Sequence, residues 1–139
     1  MGRIIAIDYG NKRVGLATTD PLKIIATPLE TVHITEVMSY LHKYCEKEEV
    51  EALVLGWPTR LDGSDTNVTQ AVKRFEKELK KHFPQKSVYL HDERFTSKMA
   101  LDAMIAGGTK KKDRREKGNI DKISASIILQ SFLESRKIL

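Results

Sequence analysis

The chain has 139 residues and a mass of 15.8 kDa, which corresponds to one domain of ordinary size. With 40% hydrophobic and 31% charged residues, the composition is typical of a soluble globular protein and excludes a disordered or fibrous chain. The length excludes a TIM barrel or a two-lobed ATPase, and no apolar run approaches the roughly 18 residues of a membrane span. We expect no signal peptide. The single cysteine, Cys45, excludes an internal disulfide and favours a cytoplasmic location.

The net charge of +5 is concentrated in one segment of the chain. Residues 110–117 contain six cationic and two acidic residues, a net charge of +4, so the rest of the chain is expected to be nearly neutral. A charge run of this kind is either a solvated loop or a contact for nucleic-acid phosphates. The charge pattern alone leaves both interpretations open.

Alternating and apolar runs predict three strands near the start of the chain, at residues 3–8, 13–19 and 23–32. Short links between them predict an antiparallel meander. The apolar spacing then becomes helical, and the remaining elements alternate. They are a helix over 34–47, a strand over 50–56, a helix around 68–79, a strand over 87–91, a helix from Thr96 to Gly107-Gly108, and a last helix over 119–136. The order β-β-β-α-β-α-β-α predicts one α/β domain with a mixed sheet and helices packed on it.

Three carboxylates stand out because of where they fall in these elements. Asp8 ends the first strand, Glu93 follows the last strand, and Asp121 lies in the first turn of the last helix. Sites in open α/β sheets gather outside the carboxyl ends of parallel strands. Asp121 also shares a helix face with the small residues Ser124 and Ala125, which let the helix approach the sheet closely. Each carboxylate has an ordinary alternative role, respectively a turn cap, a partner for Arg94 and a favourable charge at a helix N-terminus.

Clustered carboxylates repel one another unless a cation holds them together. Hard oxygen ligands select Mg²⁺ or Mn²⁺, and the four histidines and single cysteine show no zinc-site spacing. An acidic metal site beside a cationic segment is suited to the hydrolysis of phosphodiester bonds.

Four ordered sequence blocks now become recognisable. They are residues 7–17 (IDYGNKRVGLA), residues 54–58 (VLGWP) with 62–64 (DGS), residues 92–97 (DERFTS), and residues 121–125 (DKISA) with 128–129 (IL). Together they resemble the YqgF family, which belongs to the RNase H-like superfamily and is related to the RuvC junction resolvases. The resemblance extends over almost the whole chain. It implies an RNase H-like fold with a five-stranded mixed sheet, as a single nuclease domain over residues 1–139.

The resemblance also implies a metal-dependent nuclease with Asp8, Glu93 and Asp121 as catalytic residues and ligands of Mg²⁺ or Mn²⁺. Family members are described as nucleases that mature the 5′ end of the precursor of small-subunit ribosomal RNA, and as Holliday-junction resolvases. The wider superfamily commonly takes an acidic ligand from the region around the fourth strand or first helix. Here that strand ends in Gly56-Trp57-Pro58, so Asp62 in the following loop is a further candidate ligand.

Cationic residues beside the carboxylates and in the basic segment are predicted to contact the nucleic acid: Lys12, Arg13, Arg94, Lys110, Lys111, Lys112, Arg114, Arg115 and Lys117. Residues 107–118 are expected to form a loop that closes on the substrate, hinged by Gly107-Gly108 and Gly118. The expected partner is structured RNA or branched DNA, with no membrane contact, and the protein is expected to be a monomer or a weak homodimer. No extended apolar stripe indicates a dimer surface, which favours RNA.

Two other classes of function are compatible with parts of the sequence. An actin-like phosphotransferase also begins with Asp-x-Gly at a hairpin, but its two lobes need about twice this length. A non-catalytic nucleic-acid-binding module would not need all three carboxylates, and their joint presence argues against it.

Overall fold

Residues 2–10, 12–57, 67–92 and 117–137 are described by a computed structural model. Five strands and three helices lie within these ranges: β1 (Arg3–Tyr9), β2 (Arg13–Thr19), β3 (Ala26–His33), α1 (Val37–Lys47), β4 (Val50–Trp57), α2 (Asn67–His82), β5 (Ser87–Asp92) and α3 (Lys117–Lys137). The predicted α/β class and all five predicted strands are confirmed. The helix predicted from Thr96 to Gly107-Gly108 lies outside the described residues.

The five strands form one mixed sheet in the order β3-β2-β1-β4-β5. β1, β2 and β3 pair as the predicted antiparallel meander, whereas β4 pairs in parallel with both β1 and β5. β1, β4 and β5 therefore end at the same side of the sheet, which we call the carboxyl edge. Sites of open α/β sheets form at such an edge.

The central strands are apolar along almost their whole length because helices cover both faces of the sheet. On one face, Ile5 and Ile7 of β1 pack in a core with α1 and α2. On the other face, Ile4 and Ala6 pack against α3. The result is a three-layer arrangement with two helices below the sheet and α3 above it.

Helical spacing explains how each helix reaches the sheet. α1 buries Val37 and Leu41, and α2 buries Val72, Phe75 and Leu79, on one side of each helix. α3 buries residues three and four places apart: Ala125, Ile128, Leu129, Phe132 and Leu133. In the part of the chain that the structure describes, no helix is both long enough and apolar enough to cross a membrane.

The connection between β2 and β3 differs from the prediction of a strand beginning at residue 23. Oδ1 of Asp20 accepts hydrogen bonds from the backbone N–H groups of Ile24 and Ile25, both at 2.8 Å, and Oδ2 accepts one from Leu22 at 3.2 Å. Lys23 has a φ of 59° within this turn. Side-chain bonds of this kind compete with strand pairing, so β3 begins only at Ala26.

Two helix starts also differ from the sequence prediction. The Ile34 N–H donates to the Lys12 carbonyl at 2.9 Å and holds the chain in a turn, so α1 begins at Val37 and not at residue 34. α3 begins at Lys117, which places Gly118 in the first helical turn and not at the hinge of a loop. A glycine costs about 1 kcal/mol in a helix, which is small beside the burial of the α3 apolar face.

Candidate active site

Asp8 lies at the carboxyl edge between two glycines. It pairs in register with Gly15 of β2, and the β1–β4 register of Ile7 with Leu55 makes Gly56 its neighbour on β4. Side chains alternate between the faces of a sheet, so Asp8 shares the α3 face with Ala6. Neither neighbouring residue carries a side chain, so the half-buried Asp8 is flanked on β2 and β4 by backbone alone.

The β1–β2 hairpin places two cationic residues next to Asp8. A Cβ atom at Gly10 would lie 2.6 Å from the Arg13 carbonyl oxygen, so the tight turn requires glycine at this position. Lys12 is exposed in the turn, and the half-buried Arg13 opens β2 on the same sheet face as Gly15. The hairpin therefore presents positive charge at the edge where Asp8 lies.

α3 packs on the sheet face that carries Ala6. Its last turns place Phe132 and Leu133 around a cavity of about 440 Å³ with Ile4 and Ala52, near the amino ends of β1 and β4. Asp121 is in the second turn of α3, not the first turn predicted for it. Its alternative role as a charge at the helix N-terminus is weakened, because that effect fades within the first turn.

Ser124 is a buried polar residue one helical turn after Asp121. Its side chain is 2% exposed, and its Oγ atom has no hydrogen-bond partner among the described residues. The nearby Ser126 differs, because its hydroxyl donates to the Ile123 carbonyl at 2.7 Å. A buried hydroxyl without a partner costs about 1–3 kcal/mol, so the Ser124 hydroxyl is available to a water molecule or ligand at the site. Its small size was the only feature of Ser124 that the sequence analysis used.

His91 links β5 to α3 and was missed by the sequence analysis. It pairs in register with Gly56, which places it in the same row across the sheet as Asp8. Its Nε2 atom lies 2.9 Å from the Ser131 Oγ atom, and its ring meets Phe132 edge to face. The sequence did contain a signal for His91. Side chains alternate along β5, so His91 lies on the same sheet face as Tyr89, the α3 face, and it precedes Glu93 by two residues.

Most of the other predicted site residues lie outside the described ranges: Asp62, Glu93, Arg94, Lys110, Lys111, Lys112, Arg114 and Arg115. Their roles, and those of the Asp121 and Lys117 side chains, stay predictions. Within the described ranges, no three His, Cys, Asp or Glu side chains are arranged to hold a metal ion. The predicted ligand set therefore depends on Glu93 and Asp121 as well as Asp8.

The residues outside 110–117 sum to a charge of +1, as expected, but α2 is a second cationic segment. This helix contains five cationic and two acidic residues, a net charge of +3 on 16 residues. The net charge of the whole chain hides this cationic helix, because acidic residues elsewhere offset its charge. They include Glu46, Glu48, Glu49 and Glu51.

Comparison with known proteins identifies the family. The family model "RuvX: Holliday junction resolvase" matches residues 2–135. The chain belongs to the RuvX family. RuvX is another name of the YqgF family, so the predicted resemblance is confirmed.

Relatives of this RuvX chain are similar over their whole length. A protein of Amoebophilus asiaticus is 53% identical over 137 residues, covering 99% of this chain and 97% of the relative. A protein of Phocaeicola vulgatus is 47% identical over 137 residues, covering 99% of each. Both are named "Putative pre-16S rRNA nuclease". The predicted class of activity, a nuclease, is confirmed at the level of the family.

A solved structure shows the same fold as the RuvX chain. RuvC of T. thermophilus, in complex with a Holliday junction substrate, superposes with a TM-score of 0.60 at 16% sequence identity. The match covers 99% of this chain and 96% of the RuvC chain. The predicted RNase H-like fold is therefore confirmed.

Proposed function

We propose that this protein is a divalent-metal-dependent nuclease that processes the 5′ end of pre-16S rRNA. The observation that carries the proposal is the position of Asp8, at the carboxyl edge of a RuvC-like sheet, between two glycines and beside Lys12 and Arg13. The names of two relatives, 53% and 47% identical over nearly the whole chain, support the RNA substrate.

The residues of the site fit a divalent metal. Asp8, with Glu93 and Asp121, supplies only carboxylate oxygens, the donor type that Mg²⁺ and Mn²⁺ prefer. A divalent ion at such a site polarises the phosphodiester and lowers the pKa of a bound water.

The remaining residues of the site act on the substrate through charge and hydrogen bonds. Asp8 repels phosphate, and Lys12 and Arg13 offset that repulsion at the same edge. The planar guanidinium of Arg13 can donate to two oxygens of one phosphate, whereas Lys12 acts as a single mobile charge. The Ser124 hydroxyl, buried and without a partner among the described residues, can hold a water molecule near Asp121.

Processing of an RNA end requires one active site, and we propose a monomer that acts in the cytoplasm. The second candidate is the resolution of Holliday junctions, which the description of the family model favours. Junction resolution needs two symmetrically placed active sites and hence a dimer.

The test is cleavage by the purified protein in Mn²⁺ of two labelled substrates, a precursor 16S rRNA fragment and a four-way DNA junction. We expect cleavage of the RNA near the mature 5′ end, with the junction left intact. Paired, symmetrical cuts in the junction with intact RNA would show that the protein is a resolvase. Binding of both substrates without cleavage of either would show a non-catalytic binding module.

A further inference from the structure

α2 is strongly amphipathic, and its outward face is cationic. Val72, Phe75 and Leu79 turn inward to the core beneath the sheet. The exposed positions between them carry the cationic residues Lys73, Arg74, Lys77, Lys80 and Lys81. An ordinary solvated helix face shows the same sequence pattern. Whether this face can bind an anionic ligand therefore depends on which of its charges are already paired.

The two acidic residues of α2 interact with Lys80 and His82 and not with Arg74, Lys77 or Lys81. Glu76 pairs with Lys80 at 3.4 Å, and Glu78 lies 3.7 Å from His82. Arg74, Lys77 and Lys81 form no ion pair with any described residue. Their spacing of three and four residues places them on one side of the helix, within about 10 Å along its axis.

A groove runs beside these cations at the end of the sheet. It has a volume of about 360 Å³ and is lined by Gln70, Lys73, Arg74, Glu76, Lys77 and Leu90. Leu90 of the edge strand β5 is 41% exposed and adds an apolar side chain to this groove. Three cationic heads outnumber the single carboxylate of Glu76, which pairs with Lys80, so the groove suits a ligand with negative charges and apolar parts.

α2 lies on the face of the sheet opposite to Asp8, and its Phe75 reaches the carboxyl edge from below. The Phe75 ring, next to Arg74 in α2, packs against the Tyr9 ring with centroids 4.7 Å apart. Tyr9 directly follows Asp8 in β1. The cationic face of α2 therefore begins near the carboxyl edge and leads away from it along the helix.

We propose that Arg74, Lys77 and Lys81 bind consecutive backbone phosphates of the nucleic-acid substrate, outside the cleavage site. This inference rests on the proposed nuclease function. Cβ atoms three or four residues apart in a helix are about 5–6 Å apart, so the three cations can follow one strand. Contacts of this kind fix the position of the strand and carry no sequence information. They hold the substrate, whereas Asp8 and its partners act on the scissile bond.

The chain offers a matched control for the test. Lys77→Gln/Lys81→Gln removes two exposed lysines four residues apart, the second in the last turn of α2. Lys43→Gln/Lys47→Gln removes two exposed lysines with the same spacing, the second in the last turn of α1. Both variants change net charge, helix propensity and helix-end electrostatics equally, and glutamine is a good helix former.

Binding of each variant to the precursor 16S rRNA fragment is measured over a range of salt concentrations with the divalent metal chelated, so that cleavage plays no part. Each phosphate contact contributes about 0.7–0.9 to the slope of log affinity against log salt. We expect the α2 variant to lower that slope by about 1.4–1.8, which corresponds to about 25–60-fold weaker binding at 0.1 M salt. The α1 variant should keep the slope of the original protein. With Mn²⁺, the α2 variant should raise KM and leave kcat unchanged.

Equal slopes for the α1 and α2 variants would overturn the inference, because the α2 cations would then contribute only general charge. A lowered kcat with unchanged KM would also overturn it. Failure of the proposed function gives a different result. In that case the unsubstituted protein would cleave neither substrate in Mn²⁺, while the difference between the α1 and α2 variants in the metal-free binding measurement would persist.

Discussion

The Ser124 hydroxyl, which has no partner among the described residues, predicts that Ser124→Ala stabilises the metal-free protein. The side chain is 2% exposed and its Oγ atom finds no partner in the described part of the chain. Removing a buried polar group that makes no hydrogen bond recovers its desolvation penalty, about 1–3 kcal/mol. The substitution leaves almost no cavity and replaces serine by a better helix former. At about 3 °C per kcal/mol for a chain of this length, Tm should rise by roughly 3–10 °C.

Ser126→Ala is the matched control, because it makes the same substitution two residues further along α3. Ser126 does donate a hydrogen bond, at 2.7 Å to the Ile123 carbonyl. Losing that bond costs about 0.5–1.5 kcal/mol, partly offset by the same gain in helix propensity. Thermal unfolding in a chelator should therefore give a clearly higher Tm for Ser124→Ala than for Ser126→Ala.

A Tm for Ser124→Ala equal to or below that of Ser126→Ala would refute the reasoning, since the hydroxyl would then be satisfied in the free protein. Function provides an independent check. If Ser124 holds a water or ligand near Asp121, Ser124→Ala should slow RNA cleavage in Mg²⁺ while raising the metal-free Tm. Ser126→Ala should cleave at the rate of the original protein.

Three further predictions concern the hairpin, a turn and the core. Gly10→Ala should destabilise the protein by about 1–3 kcal/mol in denaturant unfolding, because the added Cβ would lie 2.6 Å from the Arg13 carbonyl oxygen. An unchanged unfolding midpoint would contradict this close contact. The hydrogen bond from the Ile25 N–H lowers the pKa of Asp20 below its ordinary 3.8. Asp20 therefore contributes stability above about pH 3.8 that is lost as the pH falls through the lowered pKa, and the Tm difference between the original protein and Asp20→Ala should shrink only in that acid range. Leu41→Ala should lower the free energy of unfolding by about 2–5 kcal/mol in chemical denaturation, since Leu41 is fully buried beneath the sheet. A decrease below about 1 kcal/mol would mean that neighbouring side chains fill the cavity.

The four strands that apolar runs mark in the sequence were predicted closely. The bounds of β1, β2, β4 and β5 agree with the sequence to within a residue at each end. Their apolar runs follow directly from burial under helices on one or both faces. The start of β3 was wrong because Asp20 bonds three backbone N–H groups in a turn, a local competition that hydrophobicity does not reveal.

The candidate site was predictable in part. The position of Asp8 follows from the end of an apolar strand, which a single sequence shows. Its flanking glycines, Gly15 and Gly56, are distant in sequence and become neighbours only through the register of β1 with β2 and β4. The cationic face of α2 was hidden because a net charge sums residues from different elements of the fold. Glu93, Arg94 and the basic segment stay predictions.

Cleavage by Asp8→Asn tests the central role of Asp8 most directly. The substitution nearly preserves the shape of the side chain and removes one negative charge from the predicted metal site. We expect the original protein to cleave the precursor 16S rRNA fragment at a rate that rises with Mg²⁺ and saturates. Asp8→Asn should show no cleavage at any Mg²⁺ concentration while its metal-free Tm is equal or higher. Mg²⁺-dependent cleavage by Asp8→Asn, in a preparation free of contaminating nuclease, would contradict the proposed mechanism.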